Sequence, residues 1–156
     1  MIKKKYLLLI FFIIVTACDY KPLYSKKNVN FTITKIEFKD ENRITSLLKN
    51  NLANYINKEN KKNNYNLEID AKKNITTTSK DKKGNPKSHS IEVIIKTKVI
   101  NDNKQIKEKI FNMTFNYSTE ENKFNLSQYE KDIEKNLINK ISKNLILYLT
   151  KLTNDN

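Results

Sequence analysis

Between Tyr129 and Leu152 the apolar residues fall mostly on every fourth position: Tyr129, Ile133, Leu137, Ile141, Leu145, Leu149 and Leu152, with Ile138 and Tyr148 widening the stripe. This period predicts an amphipathic helix of about 25 residues, roughly 38 Å long at 1.5 Å per residue. Ser127-Gln128-Tyr129-Glu130 just ahead of the stripe reads as a capping box that starts the helix. A helix with one long apolar stripe has to bury it against another layer, so the rest of the chain must supply an apolar surface of matching length.

The residues before it supply one. Phe31 to Phe38 mixes Phe31, Ile33, Ile36 and Phe38 with Thr32 and Thr34, a strand composition whose alternation breaks near Lys35, as at a bulge. Ile44, Leu47, Leu48, Leu52, Tyr55 and Ile56 then mark a first helix, capped by Asp40 or Asn42 and ending near Lys58. Tyr65, Leu67, Ile69 and Ala71 alternate with polar residues, a half-buried strand that can run on through Ile75 to Thr78. Ser79 to Lys87 is a basic loop holding the chain's one glycine, Gly84, and it closes a long hairpin. Ile91, Val93, Ile95, Thr97 and Val99 form the next strand, and Asn101 to Lys104 the next turn. A fourth strand follows from about Ile106 to Tyr117, with Phe111, Met113, Phe115 and Tyr117 on one face. The predicted fold class is α+β, with two amphipathic helices packed on one face of a four-stranded sheet in the order β-α-β-β-β-α.

Packing alone must hold this domain, because Cys18 is the only cysteine and no disulfide can form within the chain. Cys18 has another use. Lys3, Lys4 and Lys5 precede the ten-residue apolar run Tyr6 to Val15, which is too short to span a bilayer and reads as the core of a signal peptide. Thr16 and Ala17, both small, lead directly into Cys18, the arrangement of a bacterial lipobox. The division that follows is a lipoprotein signal peptide at 1–17, a lipidated tether at 18–30 and a single domain at 31–156. Two or more acyl chains on Cys18 would hold the chain stably to a membrane. Without the three leader lysines, 27 basic residues stand against 17 acidic ones, a balance of +10 in the mature chain. That balance suggests an anionic partner. Export argues against nucleic acid and for phosphorylated lipid, while the Lys-, Asn- and Ile-heavy composition accounts for part of the charge.

Cys18-Asp19-Tyr20-Lys21-Pro22-Leu23-Tyr24 resembles the start of mature LptE-family proteins, the lipopolysaccharide-assembly lipoproteins. The resemblance implies the β-α-β-β-β-α domain, no catalysis, and a place at the outer membrane on the periplasmic side. It also implies two partners: an LptD-like β-barrel, which such proteins plug and help to fold, and lipopolysaccharide. Asp19 stands where the family commonly has glycine, and an aspartate directly after the lipidated cysteine resembles an inner-membrane retention signal. It keeps open a second reading, a periplasmic anchored lipoprotein that binds anionic lipid or serves an inner-membrane transporter.

No constellation for chemistry is apparent, so the chain is expected not to be an enzyme and to carry neither cofactor nor metal. His89 is the only histidine and reads as an exposed loop residue, and one glycine cannot build a phosphate loop or a nucleophile elbow. Glu68 and Asp70 belong to a solvated strand face. The candidate lipopolysaccharide-binding residues are therefore lysines chosen by charge: Lys80, Lys82, Lys83 and Lys87 around the hairpin loop, Lys96 and Lys98 on the third strand, and Lys104, Lys107 and Lys109 at and after the next turn.

Overall fold

The computed structural model describes residues 29–59, 61–101 and 104–154, the side chains of 104–106 excepted. The leader, Cys18, Asp19 and the tether as far as residue 28 lie outside the described residues. Four strands, β1 (Phe31–Phe38), β2 (Asn63–Lys80), β3 (Pro86–Asn101) and β4 (Lys104–Ser118), form one sheet in the order β1-β2-β3-β4. Helix α1 (Arg43–Leu52) lies between β1 and β2, and α2 (Lys123–Asn154) ends the domain. The fold is thus α+β with the expected element order. β2 to β4 are antiparallel neighbours, whereas β1 and β2 run parallel, because a helical crossover returns the chain to the same end of the sheet.

Each helix start has a named cause. The Asn42 side chain accepts from the Thr45 backbone N–H at 3.1 Å, and the Asn42 N–H donates to Thr45 Oγ1 at 2.9 Å, a reciprocal box that caps α1. α1 stops at Leu52 and tightens into a 3-10 turn over Ala53–Tyr55, short of the expected end at Lys58. The β1 backbone and side chains take over there: Thr32 Oγ1 donates to the Tyr55 carbonyl at 3.2 Å and accepts from the Lys58 N–H at 2.7 Å, and the Asn57 N–H donates to the Ile33 carbonyl at 3.0 Å. The reversal uses φ +48° at Asn57, a conformation asparagine tolerates better than most residues.

The second helix corrects the sequence reading. It is 32 residues long, not 25, and Ser127 lies inside it. Asn122 is the residue at its start, its Oδ1 accepting from the N–H groups of Phe124 and Asn125 at 2.9 and 3.2 Å. Glu130 does not reach back to a cap; it accepts the Tyr117 hydroxyl proton at 2.6 Å.

The register of β1 skips between Ile33 and Lys35, so that Ile33 pairs with Tyr65 and Ile36 with Leu67 on the same face. The bulge is what converts the broken alternation into one apolar face. That face, with Tyr65, Leu67, Ile69, Ile91, Val93, Ile95 and Val99, meets Leu48 and Leu52 of α1 and Ile138, Ile141, Leu145 and Leu149 of α2. Tyr65 is fully buried, and its hydroxyl lies 3.3 Å from Thr153 Oγ1 near the end of α2. The face is less complete at the β4 edge, where Phe115 is 42% exposed.

β1 accompanies β2 only to the Phe38–Ile69 pair. From Lys72 to Lys80 every β2 residue is exposed. β3 continues beside this arm from Ile94 back to Pro86, and β4 lines β3 as far as the Ser88–Ser118 pair.

Candidate functional surface

The helices cover one face of the sheet and leave the other open, so the candidate lysines divide by position. Lys80 ends β2, Lys82 and Lys83 lie in the turn, and Lys87 is the second residue of β3. All four are exposed and gather at the hairpin tip. Lys96 and Lys98 lie on the open face of β3, and Lys107 and Lys109 are exposed on β4. Lys104 begins β4. Lys107 pairs in register with Val99, twelve residues along β3 from Lys87, which is roughly 40 Å of strand. The nine lysines are therefore not one site but a tip cluster, a group of three, Lys96, Lys98 and Lys109, along one groove, and Lys104 and Lys107 toward the far end of the sheet.

Electrostatics separates these groups further. The open face holds a shallow groove of about 510 Å³ that carries Lys96 and Lys98. Glu37, Glu68, Asp70 and Glu108 line it as well, balancing its four lysines. Lys39 Nζ is 3.5 Å from Asp70 Oδ2, and Lys98 Nζ is 3.5 Å from Glu108 Oε1. In register, Lys98 lies between Glu68 and Glu108, and Lys96 beside Asp70. A surface so interleaved has little net attraction for an anion. At the tip the balance differs: Lys80, Lys82 and Lys83 flank a single acid, Asp81, and its carboxylate is engaged in the turn.

The turn is built to hold that cluster still. Asp81 accepts from the Asn85 side-chain amide at 3.0 Å and from the N–H groups of Asn85 and Lys83 at 2.9 and 2.8 Å. Gly84, at φ +86°, takes the left-handed position, where a Cβ would be strained. The Asn85 side-chain bond, then the backbone bonds, hold the Asp81 carboxyl below the usual aspartate range. A lowered native value means that this stabilisation is complete above the unfolded value and is lost as pH falls through the native one. Hydrogen-exchange protection of the Lys83 and Asn85 amides is expected to collapse in acid below the usual carboxylate range while core amides stay protected. Protection that does not change with pH, or that changes equally in Asp81→Asn, would contradict this account.

His89 is not an exposed loop residue. It is half-buried in β3 and stacks on Tyr117, ring centroids 5.5 Å apart. Tyr117 in turn meets Tyr129 edge-on at 6.1 Å. Burial, then the bond to Glu130 and its charge, push the Tyr117 phenol far above its usual value. His89 thus packs within the sheet, against the tyrosine that meets α2.

Glu134 was missed in the sequence. It is 1% exposed, yet it lies between cations from two other elements. Arg43 Nε of α1 is 2.8 Å from its Oε1, and Lys73 Nζ of β2 is 2.6 Å from its Oε2. The signal was available: Glu134 stands four residues before Ile138, on the apolar stripe itself. Among the described residues no cluster of His, Cys, Asp or Glu is arranged to hold a metal, and no helix is long and apolar enough to cross a membrane.

No protein-family model and no curated protein sequence matches the chain. Solved structures do. Uncharacterized lipoprotein B from Nitrosomonas europaea superposes with a TM-score of 0.63 at 12% identity, over 86% of this chain and 94% of that one. Rare lipoprotein B from Shewanella oneidensis gives 0.61 at 16% identity, over 79% and 96%. A minor lipoprotein from Acinetobacter baumannii gives 0.59 at 12%, over 78% and 92%. The chain has the fold of small bacterial lipoproteins, across nearly their whole length.

Proposed function

We propose that this chain is an LptE-like lipoprotein, anchored through Cys18 on the periplasmic side of the outer membrane, that plugs and helps to assemble an LptD-like β-barrel and contacts lipopolysaccharide. Its role is non-catalytic. The observation that carries the reading is the coincidence of two independent features in one chain. The segment Cys18-Asp19-Tyr20-Lys21-Pro22-Leu23-Tyr24 follows a lipobox, and the domain behind it has the fold of small bacterial lipoproteins. Of the candidate lysines, Lys80, Lys82, Lys83 and Lys87 best suit a phosphate-bearing lipid, since they are exposed, clustered and little offset by acid. Lys96 and Lys98 are better explained by their acidic neighbours.

Asp19 favours the second reading, an anchored lipoprotein that stays at the inner membrane and binds anionic lipid or serves a transporter. One experiment separates the two. The C-terminally tagged protein, extracted in gentle detergent, is expected to bring down a large β-barrel in equal amount, and that barrel is expected not to assemble in cells lacking this protein. Recovery with inner-membrane transport components, or alone, would sink the barrel reading.

A further inference from the structure

Among the described residues, the arm of β2 beyond Ala71 has β3 on one side and no strand on the other. Its backbone orientation follows from bonds nearer β1. The Ile69 carbonyl accepts from the Lys39 N–H at 2.9 Å, and the Ala71 carbonyl from Asn42 Nδ2 at 3.5 Å. Both lie on the side away from β3. Since strand residues alternate in the side to which their N–H and C=O point, those of Lys73, Ile75 and Thr77 face the open edge. A groove of about 420 Å³ between this edge and the start of α1, with Lys72 and Asn74 on its rim, leads into it in line with β1.

Exposed edges are usually blunted by proline, bulges or inward charge. From Lys72 to Thr77 there is no proline and no break in register with β3. Ile75-Thr76-Thr77-Thr78 is instead a run of strand-favouring residues. Bulges come only past Thr77, between Thr77 and Ser79 and between Ser79 and Lys80; before them the guard is charge, Lys72 and Lys73 against Asp70, with Lys80 beyond the bulges. Lys73 is committed to Glu134, which leaves Lys72 and Lys80 exposed at the two ends. That charge repels a second copy of the same edge and attracts a strand of opposite sign.

We propose that the open edge of β2 from Lys72 to Thr78 is a docking edge, which takes an extended acidic segment of a partner protein as a fifth strand. The main chain supplies the recognition through Lys73, Ile75 and Thr77, and Lys72 and Lys80 select carboxylates at the ends of the incoming segment. The inference stands apart from the barrel reading, since it requires neither a barrel nor lipid.

The test uses the full chain in detergent and a synthetic capped peptide of about nine residues, alternating valine and threonine with glutamate at each end, beside its lysine-ended counterpart. The glutamate peptide is expected to bind and to slow hydrogen exchange at the Lys73, Ile75 and Thr77 amides; the lysine peptide is expected not to bind. Ile75→Pro removes an outward donor without touching the ladder to β3, and should weaken binding by about tenfold or more. Ile75→Ala, which loses the same side chain, should not. If Ile75→Pro does not fold, the double substitution Lys72→Glu, Lys80→Glu decides, because peptide preference must then reverse. The proposal is overturned if the glutamate peptide fails to bind, if its binding is equal in the proline and alanine variants, if preference does not reverse, or if these amides become protected with rising concentration of the chain alone, which would give the edge to a second copy.

Discussion

Cys18→Ser is expected to abolish incorporation of labelled palmitate and to leave the chain as a slower-migrating precursor that still carries its 17-residue leader. A serine hydroxyl is a far weaker nucleophile than a thiolate, so the acyl group is not installed and the cut that depends on it does not follow. The effect on anchorage is large because each buried CH₂ of an acyl chain contributes about 0.8 kcal/mol, and stable attachment takes two or more chains. The retained leader cannot replace them: ten apolar residues make about 15 Å of helix against a hydrocarbon core of about 30 Å. Alkaline extraction should therefore release the variant from membranes that retain the parent. A Cys18→Ser chain that is processed to the mature size and still takes label would remove the lipoprotein reading, and with it the basis for the barrel and lipopolysaccharide as partners.

Replacing Arg43 and Lys73 together by methionine is expected to destabilise the domain by about 3–5 kcal/mol, read as a lowered midpoint in urea unfolding. The two cations are 51% and 38% exposed, whereas the Glu134 side chain is 2% exposed. Removing the cations therefore strands a carboxylate that water cannot reach. Either substitution alone should cost much less, since each carboxylate oxygen has its own partner and one cation remains. The triple variant, with Glu134→Met added, should recover most of the loss, because an apolar junction of similar volume avoids the desolvation of a buried charge. A double variant as stable as the parent, or a triple variant no better than the double, would show that the junction is not held by charge compensation.

What the sequence made legible was periodicity. The i, i+4 stripe of α2, the alternation in β2 and β3 and even the slip near Lys35 report directly which face is buried, and the structure places them so. What it hid depends on contacts between distant residues. The end of α1 is set by Thr32 and the Ile33 carbonyl, more than twenty residues earlier. The start of α2 was misplaced because Ser127 and Glu130 satisfy a capping pattern, while Asn122 offers its oxygen first and Tyr117 claims Glu130. The lysines show the same limit: charge can be counted in a sequence, but only the register of β2, β3 and β4 shows that Lys96 and Lys98 stand among acids while the tip lysines do not.

The parallel pairing of β1 with β2 puts the entry into β1 and the lysine tip at opposite ends of the sheet. Phe31, where the tether enters, lies beside Asn63 at the start of β2, and the lysine tip begins where β2 ends at Lys80. Seventeen strand steps separate these points, about 55 Å at 3.3 Å each. The thirteen-residue tether adds at most about 45 Å of contour length. In the proposed lipoprotein the cationic tip is thus carried at the end of the sheet away from the lipidated tether, so that it can reach an anionic group other than those beside its own acyl chains.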